Sequence, residues 1–176
     1  DAANLFGTGV PGVEEVTAKT WKAKMEEDKV RRSVVAVFYE PGCRECKDLK
    51  ETFKEFGDKM VVSTGLFGAV AVNCRKQQEL CQQEGADKLP QVVYYGPDDA
   101  KPQRLSGPST SYKTVSSWAS GVMFDHCQVL KHEEDIRQWL SSDDRVPHVV
   151  FFSDRKSTPP LLKALSLEFK GRAASG

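Results

Sequence analysis

The chain has 176 residues, of which 39% are hydrophobic and 28% are charged, a composition typical of globular domains. Its 25 basic and 25 acidic residues balance, so the net charge gives no reason to expect a nucleic-acid partner or binding to an anionic membrane. No apolar run approaches the roughly 20 residues of a membrane-spanning helix, and the length fits one domain with an extension.

The N-terminal segment has little regular pattern. Three glycines and one proline fall within residues 1–12, and a flexible lead-in is therefore predicted there. Asp1 does not begin a signal peptide. We therefore expect the chain to be a mature product or a piece excised from a longer protein.

A strand and a helix are predicted next. Val13–Val16 has the length and composition of a short edge strand. Thr17 or Thr20 is a suitable N-cap for a helix that continues to Asp28. The apolar residues of this helix, beginning with Trp21, recur four positions apart, as they do on the buried face of an amphipathic helix.

The clearest pattern in the sequence is a change of apolar spacing. The apolar run Val34–Tyr39 stops at Pro41, and the apolar residues that follow are Leu49, Phe53 and Phe56. The run predicts a buried strand, and the later spacing is that of one face of a helix. A strand that leads through a tight turn into a helix is therefore predicted.

Cys43 and Cys46 lie at this change of spacing. The position places Cys43 at or near the N-terminus of the helix, where unpaired backbone N–H groups favour a thiolate. A second thiol one helical turn later can resolve a mixed disulfide that the first thiol forms. The pair therefore predicts reversible dithiol–disulfide chemistry, which needs no cofactor.

A zinc site and a purely structural pair are also compatible with two cysteines at this spacing. Zinc usually needs a second cysteine pair or a histidine pair at metal-ligand spacing, and the remaining cysteines and histidines show neither. No metal is therefore predicted. A structural pair without redox function is disfavoured by the strand-turn-helix context.

The rest of the first domain continues the alternation of strands and helices. In chain order the predicted elements are a strand Phe67–Asn73, a helix Arg75–Gln83, a strand that follows Pro90 and ends at Tyr95, a strand Gln103–Leu105 and a helix Tyr112–Gly121. A helix of about 15 residues between the two central strands is long enough for a crossover, so those strands are predicted to be parallel. The last two strands form an antiparallel hairpin.

The order of elements, the Cys-x-x-Cys sequence at a strand-to-helix junction and Pro90 before a strand together resemble the thioredoxin superfamily. The resemblance covers residues 13–123 and implies an α/β thioredoxin-like fold, with a central mixed sheet flanked by helices. Within it, the sequence from Phe38 to Lys47 is similar to the active-site segment of protein disulfide isomerase domains. It looks most like the thioredoxin modules of endoplasmic-reticulum DnaJ co-chaperones.

The resemblance implies a role for each site residue. Cys43 is expected to be the nucleophile and Cys46 the resolving cysteine. The Leu89–Pro90 bond is expected to be cis, and Gly42, Leu89 and Pro90 are expected to bind an extended substrate peptide. The sequence alone also allows a trans proline in an ordinary loop.

Cys74 and Cys81 have a spacing that several endoplasmic-reticulum disulfide isomerase domains share, and in those domains the two cysteines form a disulfide. The resemblance therefore implies a structural disulfide and an oxidising, secretory compartment such as the endoplasmic reticulum lumen. The alternative is two buried thiols, because free cysteine is a common core residue.

The sequence departs from a fully active isomerase around the cysteine pair. Gly42 stands where the family usually has Trp, and Glu45 stands where isomerases usually have His, so like charge should raise the pKa of the Cys43 thiol relative to a His-containing site. Val37 stands where the family has a buried acid that moves protons for the second cysteine. The loop Gly107–Ser109 lacks the expected arginine, and slow resolution is therefore predicted.

Residues 124–176 repeat the first half of the same pattern. The predicted elements are a strand Gln128–Leu130, a helix Glu133–Ser141, a strand Val149–Phe152 and a helix Pro160–Phe169. We interpret them as an incomplete, redox-inactive thioredoxin-like β-α-β-α unit, with residues 155–159 in place of the cysteines. The alternative is a C-terminal helical extension. Cys127, near the start of this segment, has no partner at a recognisable spacing.

Half a thioredoxin-like unit cannot bury both faces of its strands. It must pack on the first domain, pair with another chain to form an oligomer, or belong to a longer protein.

The leading hypothesis is a disulfide isomerase-like thiol–disulfide oxidoreductase that acts on protein clients through Cys43 and Cys46, with a chaperone as a further partner. A first rival is a module that binds unfolded clients or a partner through the groove at Pro90 and the cysteine-free second half, with a vestigial redox site. Val37, Glu45 and Ser109 favour this rival, and the intact cysteine pair opposes it. A second rival is a cytosolic or plastid thioredoxin-like reductant, which the spacing of the other cysteine pair opposes.

Overall fold

The structure is a computed structural model that describes residues 3–7, 9–97, 100–107, 111–142, 145, 147–170 and 174–175, and of residues 28–31 and 174–175 only the backbone. The chain forms two compact units, Asp1–Met123 and Phe124–Gly176. None of the described helices is long and apolar enough to cross a membrane.

Unit 1 contains five strands and four α-helices among its described residues. They are β1 (Val13–Glu15), α1 (Ala18–Arg31), β2 (Ser33–Tyr39), α2 (Arg44–Phe56), β3 (Phe67–Asn73), α3 (Gln78–Gln83), β4 (Gln91–Tyr95), β5 (Gln103–Arg104) and α4 (Tyr112–Val122). This order is the predicted one. A π-helical segment, Gly57–Ser63, continues α2 and was not predicted.

The five strands form one mixed sheet in the order β1-β3-β2-β4-β5. β1 and β2 are both parallel to β3, and β4 is antiparallel to β2 and β5. β2 therefore lies at the centre, and all seven of its residues are buried. This mixed sheet flanked by helices is a thioredoxin-like α/β fold, as the sequence predicted.

One face of β2 packs against α1 and α3. Successive strand residues point to opposite faces, and the even-numbered residues Val34, Ala36 and Phe38 share a buried cluster with Trp21 of α1 and Leu80 of α3. The Trp21 ring lies 5.8 Å from the Phe38 ring, measured between centroids. Trp21 is therefore a core residue.

The odd-numbered residues Val35, Val37 and Tyr39 point to the other face, toward α2. The Tyr39 ring makes an edge contact with Phe6 at 4.9 Å between centroids, and Phe6 makes a second edge contact with Phe53 of α2 at 6.0 Å. The helix that carries the cysteine pair therefore covers this face.

The predicted lead-in belongs to unit 1, and its described part packs against the rest of that unit. Phe6 is 1% exposed and Val10 is 6% exposed. Gly57 lies where α2 passes into the π-helical segment. It approaches the lead-in closely, because a Cβ at position 57 would collide with the carbonyl oxygen of Pro11. The backbone N–H groups of Leu5 and Phe6 also donate hydrogen bonds to Tyr39 and Glu15, at the ends of β2 and β1.

Two boundaries in unit 1 differ from the prediction by more than one residue. α1 continues to Arg31 rather than ending at Asp28, because the sequence after Asp28 contains no helix breaker. α3 begins at Gln78 rather than Arg75, because the backbone N–H groups of residues 76 and 77 both donate to the Asn73 carbonyl and form a turn first.

Unit 2 is smaller and less regular. Its elements are α5 (Glu133–Leu140), β6 (His148–Val149), α6 (Pro160–Glu168) and β7 (Ala174–Ser175). β6 and β7 are parallel, and they follow one another across a helix as β2 and β3 do in unit 1.

Two strand predictions in unit 2 were wrong, the first altogether and the second in extent. Gln128–Leu130 is not part of a sheet, and of the predicted strand Val149–Phe152 only Val149 lies in β6. The physical reason is that the described residues supply no second neighbouring strand to hydrogen-bond with these segments. Val129 is 68% exposed and Phe152 is 84% exposed, so the apolar pattern that predicted burial is not buried within this unit.

Candidate active site

Cys43 is the N-cap residue of α2, with an extended backbone at φ −78° and ψ 133°. Its Sγ accepts a hydrogen bond of 3.0 Å from the backbone N–H of Cys46, as a Ser or Asp oxygen does at the N-termini of many helices. Because N–H groups at a helix N-terminus favour negative charge, this geometry supports a Cys43 thiolate. The side chain is partly exposed, which leaves its sulfur accessible to another molecule.

Cys46 is fully buried, with none of its surface exposed. The structure contains the pair as a disulfide, with 5.2 Å between the two Cα atoms. The Cys46 Sγ also accepts a hydrogen bond of 3.5 Å from the backbone N–H of Glu40. The difference in exposure means that an external sulfur reaches Cys43 first.

Glu45 lies beside the accessible sulfur. Its Oε2 is 3.8 Å from the Cys43 Sγ, and its side chain is exposed. A carboxylate at this distance disfavours a thiolate, although solvent weakens the effect. Gly42, on the other side of Cys43, is exposed, and a Cβ built on it would meet no atom within 4 Å.

Val37 lies on β2, the central strand of the sheet. It is fully buried, and its cross-strand neighbours, Ala71 of β3 and Val92 of β4, are both apolar. Its side chain shares the α2-facing side of the sheet with Tyr39. Val37 therefore leaves Cys46 without a carboxyl group at this position.

The Leu89–Pro90 bond is cis, as the resemblance implied. Pro90 directly precedes β4, whose first residue, Gln91, pairs with Phe38 near the end of β2. The proline therefore lies at the sheet edge where the chain leaves β2 for the cysteine turn. A role for Gly42, Leu89 and Pro90 in peptide binding stays a prediction.

The second cysteine pair joins the end of β3 to α3. Cys74 and Cys81 form a disulfide in the structure, with 5.7 Å between their Cα atoms, and they are 8% and 4% exposed. Both belong to the buried cluster on the α1 and α3 face. A closed loop of this length stabilises the fold by about 2.5 kcal/mol in the chain-entropy model.

We expect this bridge in protein made under oxidising conditions. Peptide mass mapping without reduction should recover the Cys74 and Cys81 peptides linked to each other. Cys127, which belongs to neither disulfide, is the internal control and should be alkylated after denaturation without a reductant. Alkylation of both Cys74 and Cys81 in the native protein would remove the main argument for an oxidising compartment.

A polar cluster at the end of β2 was missed by sequence reasoning. The Tyr39 hydroxyl donates to Glu15 Oε1 and accepts a 3.0 Å hydrogen bond from the Leu5 N–H, and Asn73 is a further partner. The Phe6 N–H donates to the same Glu15 oxygen at 3.0 Å. Burial raises the pKa of the Glu15 carboxyl, and burial with the hydrogen bond to Glu15 raises the pKa of the Tyr39 hydroxyl. A polar residue at the end of each buried strand was the available signal.

Two further features of the sequence contribute less to the site. Ser109, part of the loop that lacks the expected arginine, lies outside the described residues. Within the described part of the chain, no three His, Cys, Asp or Glu side chains cluster in a way that could hold a metal ion.

Unit 2 has no cysteine in its strand-to-helix turn. Residues 155–159 connect the β6 region to α6, which begins at Pro160 with Pro159 as its N-cap. A cavity of about 650 Å³ within this unit is lined mainly by apolar side chains. The charged residues Arg155 and Lys156 also line it. Cys127 lines the same cavity, and its Sγ lies 3.9 Å from the Leu162 carbonyl oxygen.

Comparisons with known proteins find thioredoxin-like relatives. The family model described as Thioredoxin matches residues 12–120. The chain is 27% identical to a protein disulfide-isomerase of Humicola insolens over 163 residues, which are 85% of this chain and 32% of the relative. A Dictyostelium discoideum relative, provisionally named a protein disulfide-isomerase, is 24% identical over 93% of this chain and 40% of its own length.

A mouse relative, DnaJ homolog subfamily C member 10, is 23% identical over 64% of this chain and 14% of its own length. Among solved structures, a crystal structure of ERdj5 (form II) has a TM-score of 0.64 at 20% identity, covering 94% of this chain and 22% of that chain. The chain thus spans less than half the length of these relatives. Because the family model covers more than half of the sequence, the chain belongs to the thioredoxin family.

Proposed function

We propose that the chain is a thiol–disulfide oxidoreductase module that exchanges disulfides with protein clients through Cys43 and Cys46. The observation that carries this proposal is the arrangement of the pair: a partly exposed sulfur at a helix N-cap and a buried sulfur one turn later, within disulfide-bonding distance. Relatives named protein disulfide-isomerase support the same chemistry.

In the reductive direction, the Cys43 thiolate attacks one sulfur of a client disulfide. A Cys43–client disulfide forms, the client S–S bond breaks, and the second client sulfur leaves as a thiolate. The Cys46 thiolate then attacks the Cys43 sulfur, which forms the Cys43–Cys46 disulfide and releases the first client sulfur. Two electrons pass to the client, which takes up two protons from solvent, while the module loses its two thiol protons. The oxidative direction reverses these steps.

The same geometry predicts that turnover is slow. The Glu45 carboxylate, 3.8 Å from the Cys43 Sγ, disfavours the attacking thiolate. Val37 and its apolar cross-strand neighbours supply no base for the Cys46 proton. The space around Gly42 admits a client backbone beside Cys43 without a large side chain in the way.

An insulin-reduction assay tests the proposal. We expect the wild-type protein, with a dithiol as electron donor, to reduce insulin more slowly than a disulfide isomerase domain that has the family's His and buried acid. Cys43→Ala should abolish the activity above the donor background, since the exposed sulfur begins the reaction. Equal rates for wild-type and Cys43→Ala protein would contradict the proposal.

The location and partners belong to the same proposal. An oxidising compartment, such as the endoplasmic reticulum lumen, is supported by the Cys74–Cys81 pairing and by the relatives. A DnaJ-type relative supports a chaperone setting, with folding or misfolded proteins as clients.

A second candidate function is client binding without turnover. The apolar cavity of unit 2 and its exposed side chains, including Phe151 and Phe152, favour it. In that case client binding should survive Cys43→Ala, and it should fall when Phe152 of unit 2, or Leu89 or Pro90 of unit 1, is changed. Sedimentation or light scattering would show whether the incomplete unit pairs two chains.

A further inference from the structure

The peptide group between Tyr39 and Glu40 bridges the two cysteine pairs. Its carbonyl oxygen accepts a 2.9 Å hydrogen bond from the backbone N–H of Cys74. Its N–H donates to the Cys46 Sγ at 3.5 Å. One rigid, planar unit therefore contacts the resolving sulfur on one side and the residue that begins the second disulfide on the other.

The orientation of this peptide is fixed from the side chain of Tyr39. The ring is fully buried against Phe6, and the hydroxyl is held by Glu15, the Leu5 N–H and Asn73. Asn73, at the end of β3, contacts the Tyr39 hydroxyl, and the N–H of the next residue, Cys74, donates to the Tyr39 carbonyl oxygen. The side chain and the main chain of Tyr39 are therefore both held by the end of β3. The peptide has little freedom to turn its N–H away from Cys46.

The N–H of Glu40 is important because Val37 and its cross-strand neighbours, on the sheet face that α2 covers, are apolar. Val37 offers no hydrogen bond, and Cys46 is fully buried, so its thiolate would be costly without a polar contact. Among the described residues, the backbone N–H of Glu40 supplies such a contact to the Cys46 Sγ. A donor to an ionised sulfur lowers the free energy of that sulfur, and the accepted bond from Cys74 polarises the same peptide further.

We propose that the Tyr39–Glu40 peptide stabilises the Cys46 thiolate where the family uses a buried acid, and that Tyr39 and Glu15 are positioning residues for it. This inference rests on the proposed function. The peptide acts in both directions of exchange, because Cys46 is the attacking thiolate when the client is reduced and the leaving thiolate when the client is oxidised. It binds the charged sulfur and moves no proton.

The test uses single-turnover kinetics of the reduced protein with a peptide disulfide that carries a fluorophore and a quencher. The first phase is the rise in fluorescence, and it reports attack by Cys43, because that step already separates the two labels. The second phase is the loss of the Cys43–peptide adduct, measured by acid quenching and mass spectrometry, and it reports resolution by Cys46. Tyr39→Phe removes only the hydroxyl, and we expect the second phase to slow about tenfold while the first changes less than about twofold. Glu15→Gln keeps an oxygen that accepts from Tyr39 and should stay close to wild type, whereas Glu15→Ala should slow the second phase.

Tyr94→Phe is the matched control. Tyr94 is 3% exposed, and its hydroxyl lies 2.8 Å from the Oγ of Ser33, at the other end of β2. The loss of a buried hydroxyl is the same, but the site is remote from Cys46, so neither phase should change. Equal slowing by Tyr39→Phe and Tyr94→Phe, or no slowing by Tyr39→Phe, would overturn the positioning role.

A second measurement tests the same inference without Tyr39→Phe, in case that variant does not fold. In Cys43→Ala protein, the pH at which Cys46 is half-alkylated should move upward when Glu15→Ala is added and should not move with Glu15→Gln. An unchanged midpoint in Glu15→Ala would also overturn the inference. If the wild-type protein shows no first phase, the proposed function itself fails, and that result is distinguishable from a normal first phase with no effect of Tyr39→Phe.

Discussion

Cys46→Ala should convert the protein from a turnover catalyst into a covalent trap. Without the resolving thiol, the mixed disulfide between Cys43 and a client is released only by an external thiol. In the insulin assay, turnover should fall to the rate at which the donor dithiol resolves the mixed disulfide. Without the donor, adducts with client proteins should accumulate on non-reducing gels and disappear after reduction.

Cys43→Ala is the control for the trapping experiment. It keeps one cysteine of the pair, but that cysteine is fully buried, whereas Cys43 is partly exposed. Few adducts should form, because client sulfurs do not reach Cys46. Similar adduct levels for the two variants, or none for Cys46→Ala, would contradict the assigned roles of nucleophile and resolving thiol.

Val37→Asp should accelerate the resolving step by about tenfold, a modest part of what general bases contribute. The position is fully buried on the α2-facing side of the central strand, where a carboxyl can take the Cys46 proton. Burial raises the pKa of such a carboxyl, so it accepts a proton near neutral pH. The second kinetic phase of the single-turnover reaction measures the effect.

Val37→Asn is the control for Val37→Asp. It introduces a polar side chain of nearly the same shape without an ionisable group, so both variants should lose about 1–3 kcal/mol of stability. Chemical denaturation will show whether the losses match. If the Asp variant resolves mixed disulfides no faster than the Asn variant, the missing acid does not explain slow turnover.

The strand and helix order of unit 1 was predictable because apolar spacing changes clearly where one element ends and the next begins. Val34–Tyr39 is a continuous apolar run because β2 is covered on both faces, and the stripe of Leu49, Phe53 and Phe56 begins directly after the cysteine turn. The two cysteines of the site were predictable from the same change of spacing.

The contacts made by polar groups at strand ends were not predictable. Tyr39 was assigned to an apolar run, and Glu15 to a short edge strand, because periodicity gives burial and not hydrogen-bond partners. Their meeting depends on the register of β1 and β2 across β3, and on residues 4–6 packing beside them. Long-range register of this kind is set by the whole sheet.

In unit 2 the apolar spacing predicted the helices but not the strands. Its apolar spacing correctly predicted α5 and α6, whose hydrogen bonds lie within the helix. The predicted strands Gln128–Leu130 and Val149–Phe152 needed neighbours to form, and the described residues supply only β7 beside β6. Spacing alone does not reveal whether a strand has a partner.

The reduction potential of the Cys43–Cys46 pair is the most direct test of a reversible dithiol–disulfide site. Equilibration with glutathione mixtures, followed by acid quenching, alkylation and mass spectrometry, will give the oxidised fraction at each potential. We expect one reversible two-electron transition, more negative than the roughly −180 mV of protein disulfide isomerase, because the Glu45 carboxylate disfavours the reduced thiolate form. Glu45→His should move the transition to a less negative potential. A pair that stays wholly reduced or wholly oxidised in every mixture, with no exchange, would contradict the oxidoreductase account.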